Sequence, residues 1–221
     1  MSEWWTYRLA DVLMFSPRVY YRLLEQYNGA LWPAQLLTVG LGLAMLYLLL
    51  RRAGGTRRLM LAILGVLWIW VAWGFLWERY ATINWPVAYV APFFALQGLM
   101  LIAAGARLRI PAPRTPASLA GVALFAAALV LYPALAPFMG RTWLAAEIFG
   151  LAPDPTALAT LALLALADGW SRWPLMIVPV IWCALSAATL STLGSGDYFV
   201  PVAGALAAIA IALVKVWQRA A

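Results

Sequence analysis

The sequence contains no histidine and only one cysteine, Cys183. Histidine is the commonest protein ligand for zinc, copper and haem iron, and the commonest general base near neutral pH. Its absence excludes histidine-ligated haem, zinc-protease chemistry and a Ser-His-Asp triad within this chain. A single cysteine cannot form an intramolecular disulfide. We therefore expect no cofactor and no metal site and assign no catalytic residue; whether the protein is an enzyme stays open, with a non-enzyme favoured.

Charged residues are also scarce. They make up 10% of the 221 residues, whereas 66% are hydrophobic and the mean hydropathy is +0.87. Soluble domains are about half apolar and about one quarter charged, so the excess apolar surface requires lipid. The net charge is +7, but the basic residues occupy short segments between apolar runs, which argues against nucleic-acid binding. The expected partners are membrane lipids, with a homo-oligomer or a partner membrane protein as further options.

Apolar segments long enough to cross a bilayer, about 20 residues each, recur along the chain. The pattern predicts an all-α integral membrane protein with seven transmembrane helices. The fifth segment has only about a dozen residues and is flanked by Asp154-Pro155 and Asp168-Gly169, which is short for a span. The alternative is that this segment is re-entrant, in which case the protein has six spans. The predicted spans are Leu31 to Leu50, Leu59 to Trp77, Pro86 to Ala106, Ser118 to Pro137, Thr156 to Ala167, Leu175 to Leu193 and Phe199 to Trp217.

Basic residues predict the orientation of these spans. Arginines near span ends stay on the cytoplasmic side, and they are concentrated in two loops. The first interhelical loop contains Arg51, Arg52, Arg57 and Arg58, and the third contains Arg107, Arg109 and Arg114. With seven spans, the N-terminus lies outside and the C-terminus in the cytoplasm, as in a multi-pass protein of a bacterial inner membrane.

The segment before the first span predicts a separate element. Ser16-Pro17 is typical of a helix start, and Asn28-Gly29 of a helix stop. Apolar and tyrosine side chains recur between them at helical spacing. We therefore divide the chain into an outer-surface amphipathic segment, residues 1–29, and a transmembrane bundle, residues 30–221.

No Lys, Arg, Asp or Glu lies at the middle of a predicted span. Proton pumps and deep ion relays usually require such a residue, so these mechanisms are disfavoured. Lys215 is the only lysine and lies near the predicted cytoplasmic end of the last span, which is unsuitable for a mid-membrane Schiff base with retinal. The sequence therefore argues against a rhodopsin.

Polar residues cluster instead near the predicted outer ends of the second, third and fifth spans. If those helices are neighbours, these residues form a shallow vestibule with Gln97 as its floor. Helix capping, interfacial charge and helix packing explain the same residues without a function. The candidate vestibule residues are Glu78, Arg79, Asn84, Gln97, Glu147 and Asp154.

Several short motifs are spread along the chain. They are Phe15-Ser16-Pro17-Arg18, Tyr20-Tyr21-Arg22-Leu23, Tyr27-Asn28, Ile83-Asn84-Trp85-Pro86, Gln97-Gly98, Phe149-Gly150 and Pro153-Asp154-Pro155-Thr156. Together they resemble a family of small bacterial membrane proteins whose function is not established. The resemblance covers nearly the whole chain and implies a polytopic inner-membrane protein without an assigned catalytic residue.

Three functions are compatible with these observations. Transport or binding of a small solute or ion is favoured by the many prolines at or inside spans, which loosen helices around a cavity. A non-catalytic subunit that docks a partner protein is the first alternative. An intramembrane enzyme acting on a lipid or quinone is the second, and it is disfavoured because the carboxylates have no accompanying histidine, metal motif or activated nucleophile.

Overall fold

The structure is a computed structural model that describes residues 13, 15–51 and 56–220. The beginning of the predicted outer-surface segment and Arg52 of the first loop lie outside these residues. The described residues form eight α-helices and contain no β-strand. The helices are α1 (Pro17–Leu31), α2 (Ala34–Leu50), α3 (Arg57–Trp70), α4 (Ala91–Ala104), α5 (Pro116–Phe138), α6 (Pro153–Leu166), α7 (Arg172–Thr192) and α8 (Val200–Ala220).

Short non-α helical turns extend two of these helices. α3 continues as a π-helix, Val71–Trp77, and the 3-10 turns Tyr80–Thr82 and Trp85–Tyr89 lead into α4. A further 3-10 turn, Trp143–Ala145, lies between α5 and α6. The turns before α4 matter below because they form one wall of a pocket.

Five helical segments are long and apolar enough to cross a membrane, which makes the chain compatible with a membrane location. They are Arg57–Thr82, Trp85–Ala104, α5, α7 and Val200–Gln218. α1 and α2 supply a sixth if they are counted as one span, but they are bent by 88°. The all-helical architecture is therefore confirmed for the described residues, whereas the count of seven spans stays a prediction.

α1 is the predicted amphipathic helix. It begins at Pro17 as predicted, and it buries Tyr20, Leu23, Leu24 and Tyr27. The predicted stop at Asn28-Gly29 is wrong, because the helix continues to Leu31. The Asn28 amide donates hydrogen bonds to the carbonyls of Leu144 and Ala146, at 2.7 and 2.8 Å. Asn28 thus attaches α1 to the connection between α5 and α6 instead of ending the helix.

α6 is the centre of the bundle and corresponds to the doubtful fifth span. It has 14 residues, and all of them are buried. It contacts α3, α5, α7 and α8. A helix that is apolar on every side and surrounded by other helices does not need the length of a lipid-facing span. This explains why the segment is short although it is strongly apolar.

α6 starts inside the bundle. Its second residue, Asp154, is hydrogen-bonded to Tyr132 and Ser186. Each of these residues lies six positions before the last residue of its helix, which is about 9 Å at about 1.5 Å per residue. The connection 139–152 therefore folds inward. We call the end of the bundle that contains α1, this connection and the turn 193–199 the α1 end.

α3 and α4 touch at two glycines. A Cβ added to Gly65 would lie 2.5 Å from the carbonyl oxygen of Gly98, and a Cβ on Gly98 would lie 2.5 Å from the carbonyl oxygen of Gly65. Neither backbone atom can move away cheaply. Such close approach through small residues is typical of helix packing in membranes.

We expect Gly65→Ala to lower the free energy of unfolding by about 1 to 3 kcal/mol, the usual cost of overpacking. The melting temperature of the detergent-solubilised protein measures this effect. Gly40→Ala in α2 is the matched control, because a Cβ there meets no atom within 4 Å, and alanine favours helix. Equal melting temperatures for the two variants would contradict the close packing.

Candidate functional site

The carboxylate of Asp154 is the most completely bonded polar group in the interior. It is 1% exposed. Its Oδ1 accepts a hydrogen bond from Trp182 Nε1 at 2.6 Å. Its Oδ2 accepts from the Tyr132 hydroxyl at 2.7 Å and from the Ser186 hydroxyl at 2.5 Å. Acceptance of three hydrogen bonds is the pattern of an ionised carboxylate, and the N-terminus of α6 favours that charge.

Glu147 is the second buried carboxyl group, and it lies in the connection outside the helices. It is 7% exposed, and its Oε2 has no hydrogen-bond partner among the described residues. Burial raises the pKa of Glu147 well above its usual range, and the negative charge of Asp154 raises it further, while Arg141 opposes the shift. Glu147 is therefore expected to hold a proton where an exposed glutamate would have lost it.

An ion pair closes the α1 end beside these carboxyls. Arg141, from the connection, pairs with Asp197 in the turn between α7 and α8. The Arg141 guanidinium also lies 4.6 Å from the centre of the Tyr21 ring of α1. The Tyr21 hydroxyl donates to Ser195, which in turn donates to Asp197. These contacts join three separate parts of the chain.

A pocket of about 210 Å³ lies next to Asp154. Its walls come from α1, from the turns before α4 and from α7. Trp182 and Ser186 line the pocket while both donate to Asp154. The Tyr80 hydroxyl, with the side chains of Asn84 and Thr189 beside it, supplies further polar atoms. The remaining wall is apolar.

An apolar groove of about 260 Å³ adjoins this pocket between α4 and α7. The two share Val90, Trp182 and Leu185. Phe93 and Ile181 line the groove and are 59% and 54% exposed. The groove therefore opens sideways on the surface of the bundle. Pocket and groove together fall within the range of small-molecule sites, about 300 to 1,000 Å³.

The predicted vestibule residues do not lie together in the structure, because some are buried and others are exposed. Glu147 and Asp154 are buried close enough to interact electrostatically, and Asn84 lines the pocket. Glu78 and Arg79 are exposed instead. The helix that lines the pocket with the turns before α4 is α7, not the fifth predicted span. Asn84 stands before a 3-10 turn, but its side chain makes no capping hydrogen bond.

Gln97 does not form the floor of a vestibule. It is fully buried, and its amide donates to the carbonyl of Leu175 at 2.8 Å. Leu175 lies seven residues before Trp182, which is about 10 Å along α7. Gln97 therefore joins α4 to the part of α7 that is remote from the α1 end.

Sequence analysis missed four side chains of this site: Tyr80, Tyr132, Trp182 and Ser186. One local signal was present, because Trp182 and Ser186 are four residues apart and share a helix face. Their common partner, Asp154, lies on another helix, so the spacing alone does not reveal it. Within the described ranges, no group of three His, Cys, Asp or Glu side chains could hold a metal ion.

These observations define an all-helical protein with apolar helices long enough to cross a membrane and a buried carboxylate beside a lateral pocket. The chain belongs to the Family of unknown function (DUF6064), whose profile matches residues 17–221. No curated protein and no solved structure matches it. The predicted membership of a family whose function is not established is thereby confirmed.

The raised pKa of Glu147 predicts how stability depends on pH. The folded protein keeps a proton on Glu147 above about pH 4.3, where the unfolded chain has lost it, so the free energy of unfolding decreases as the pH rises. The Glu147→Gln variant has no carboxyl group at this position, so its free energy of unfolding lacks this decrease. We expect the melting temperature of the wild type to fall relative to that of the variant between about pH 5 and about pH 8. Parallel curves would show that Glu147 titrates as an exposed glutamate does.

Proposed function

We propose that this protein is a membrane protein that binds a small amphiphilic solute from the bilayer, as the first step of its transport. The observation that carries the proposal is an apolar lateral groove that adjoins, through Val90, Trp182 and Leu185, a pocket with polar side chains in its lining. An alkyl chain fits the groove, and a hydrogen-bonding head group fits the pocket. A free inorganic ion would find too few polar atoms there.

The lining explains how such a solute enters. Phe93, Ile181 and Leu185 are about half exposed, and they lie on helices long and apolar enough to face lipid. A lipid-soluble molecule can therefore reach the groove without passing through water. Its alkyl chain moves from one apolar environment to another, so hydrogen bonds to the head group, and not burial of the chain, favour the pocket over the bilayer.

The short fifth helix supports transport over simple binding. Transporters commonly place their solute where a helix starts or ends inside the membrane. α6 has 14 residues and starts inside the bundle, and its first turn supplies the carboxylate behind the pocket. With the predicted orientation, the pocket lies toward the outer side, as the vestibule hypothesis required.

An intramembrane enzyme is the second candidate, and one contact favours it. The Ser186 hydroxyl donates to a carboxylate at the edge of the pocket, as an activated nucleophile would. Asp154 also accepts hydrogen bonds from Tyr132 and Trp182, which weakens it as a base. Turnover of a bound lipid ester that is lost in Ser186→Ala would favour this candidate.

The third candidate, a subunit that docks a partner protein, would instead retain a defined protein partner through purification.

Binding is tested with a photoactivatable alcohol that has an alkyl chain of about twelve carbons. The purified protein is placed in phosphatidylcholine vesicles, labelled with light and analysed by mass spectrometry of its peptides. We expect labelling of α4 and α7 at the groove. Leu185→Trp fills the shared wall and should reduce this labelling by about tenfold, the effect of losing about 1.4 kcal/mol.

Leu213→Trp in α8 is the matched control. Leu213 is 55% exposed and Leu185 is 47% exposed, but only Leu185 lines the pocket and groove. We expect the probe to label the Leu213→Trp variant as strongly as it labels the wild type. Equal labelling of all three proteins, or labelling spread evenly over the lipid-facing helices, would overturn the proposed binding site.

A further inference from the structure

We infer that the pocket selects head groups that donate hydrogen bonds and carry no negative charge, which are alcohols and amines, and that it rejects carboxylates and phosphates. This inference rests on the proposed function, because it names the class of solute that the pocket accepts. It depends on the direction of two hydrogen bonds and on the charge of the surrounding residues.

The direction of the hydrogen bonds determines what the pocket offers. A serine hydroxyl has one hydrogen, and Ser186 donates it to Asp154. The indole N–H of Trp182 is likewise donated to Asp154. At this end of the pocket, Ser186 therefore presents only lone pairs, and Trp182 presents none. A ligand group placed there must donate a hydrogen bond to Ser186.

Charge acts in the same direction. The pocket lining contains no lysine or arginine among the described residues. Asp154 lies directly behind Ser186, and the other titratable groups that interact with this region are carboxyls and tyrosines, namely Glu147, Asp197, Tyr20, Tyr80 and Tyr132. The nearby Arg141 is paired with Asp197. An anionic head group would therefore be repelled, in surroundings where repulsion is poorly screened.

The Tyr80 hydroxyl completes the polar end. It lies beside the side chains of Asn84 and of Thr189 in α7 and lines the same pocket as Ser186, and a tyrosine hydroxyl can donate as well as accept. An alcohol can use both groups, because it can donate to Ser186 and accept from Tyr80. An ammonium group satisfies Ser186 and gains from the charge of Asp154.

The test uses three photoactivatable probes with the same alkyl chain of about twelve carbons and different head groups: an alcohol, an amine and a carboxylic acid. At about pH 9 in phosphatidylcholine vesicles, the acid is ionised and most of the amine is charged. We expect the alcohol and the amine to label the groove about tenfold more than the acid, which corresponds to the loss of one hydrogen bond.

Asp154→Asn supplies a second measurement. The asparagine amide can donate to Ser186, whose hydroxyl hydrogen then turns toward the pocket. We expect the acid probe to gain labelling and the amine to lose it in this variant. A wild-type protein that is labelled equally by all three probes would overturn the head-group inference and leave the binding site intact. A folded Asp154→Asn protein in which the three probes label the groove in the same ratios as in the wild type would also overturn the head-group inference. If no probe labels the groove, both the head-group inference and the proposed binding site are wrong.

Discussion

The polar groups at the two ends of α6 must be satisfied inside an apolar bundle, and the surrounding helices are arranged to do this. At the C-terminal end, Arg172 donates to the Ala167 carbonyl at 2.6 Å and Lys215 donates to the Leu166 carbonyl. Both cations lie at the negative end of the helix dipole, and Asp154 lies at its positive end. The buried charges thus complement a helix that neither reaches water nor faces lipid.

The same requirement shapes the pocket. α5 and α7 contribute hydroxyl and indole donors to stabilise Asp154, and two of these donors also form the pocket wall. Removing Asp154 would disturb the helix and the pocket together. Asp154 thus stabilises α6 and also determines which hydrogen-bonding atoms line the pocket. A change in the direction of the Ser186 hydrogen bond separates these two roles, because it turns the Ser186 hydrogen toward the pocket and leaves the packing of α6 nearly unchanged.

Much of the fold follows from local patterns, whereas the site depends on contacts between distant segments. The apolar runs and the start of α1 at Pro17 are visible in the sequence, because length, hydropathy and proline placement act locally. The shortness of the fifth apolar segment is visible for the same reason. The depth of Asp154 was not predictable, because its partners lie 22 to 32 residues away on other helices. Gln97 was misplaced because its neighbour in space is α7.

A residue's position near the end of an apolar run does not give its depth in the bundle. Asp154 and Arg172 flank predicted spans and Lys215 lies near the end of one, yet all three are buried. Hydrogen bonds distinguish their roles. Arg172 and Lys215 donate to main-chain carbonyls, and these structural bonds account for their burial. Glu147 differs, because its buried Oε2 has no such partner among the described residues. Since a buried carboxyl oxygen without a hydrogen bond costs stability, the packing of α6 does not explain the burial of Glu147.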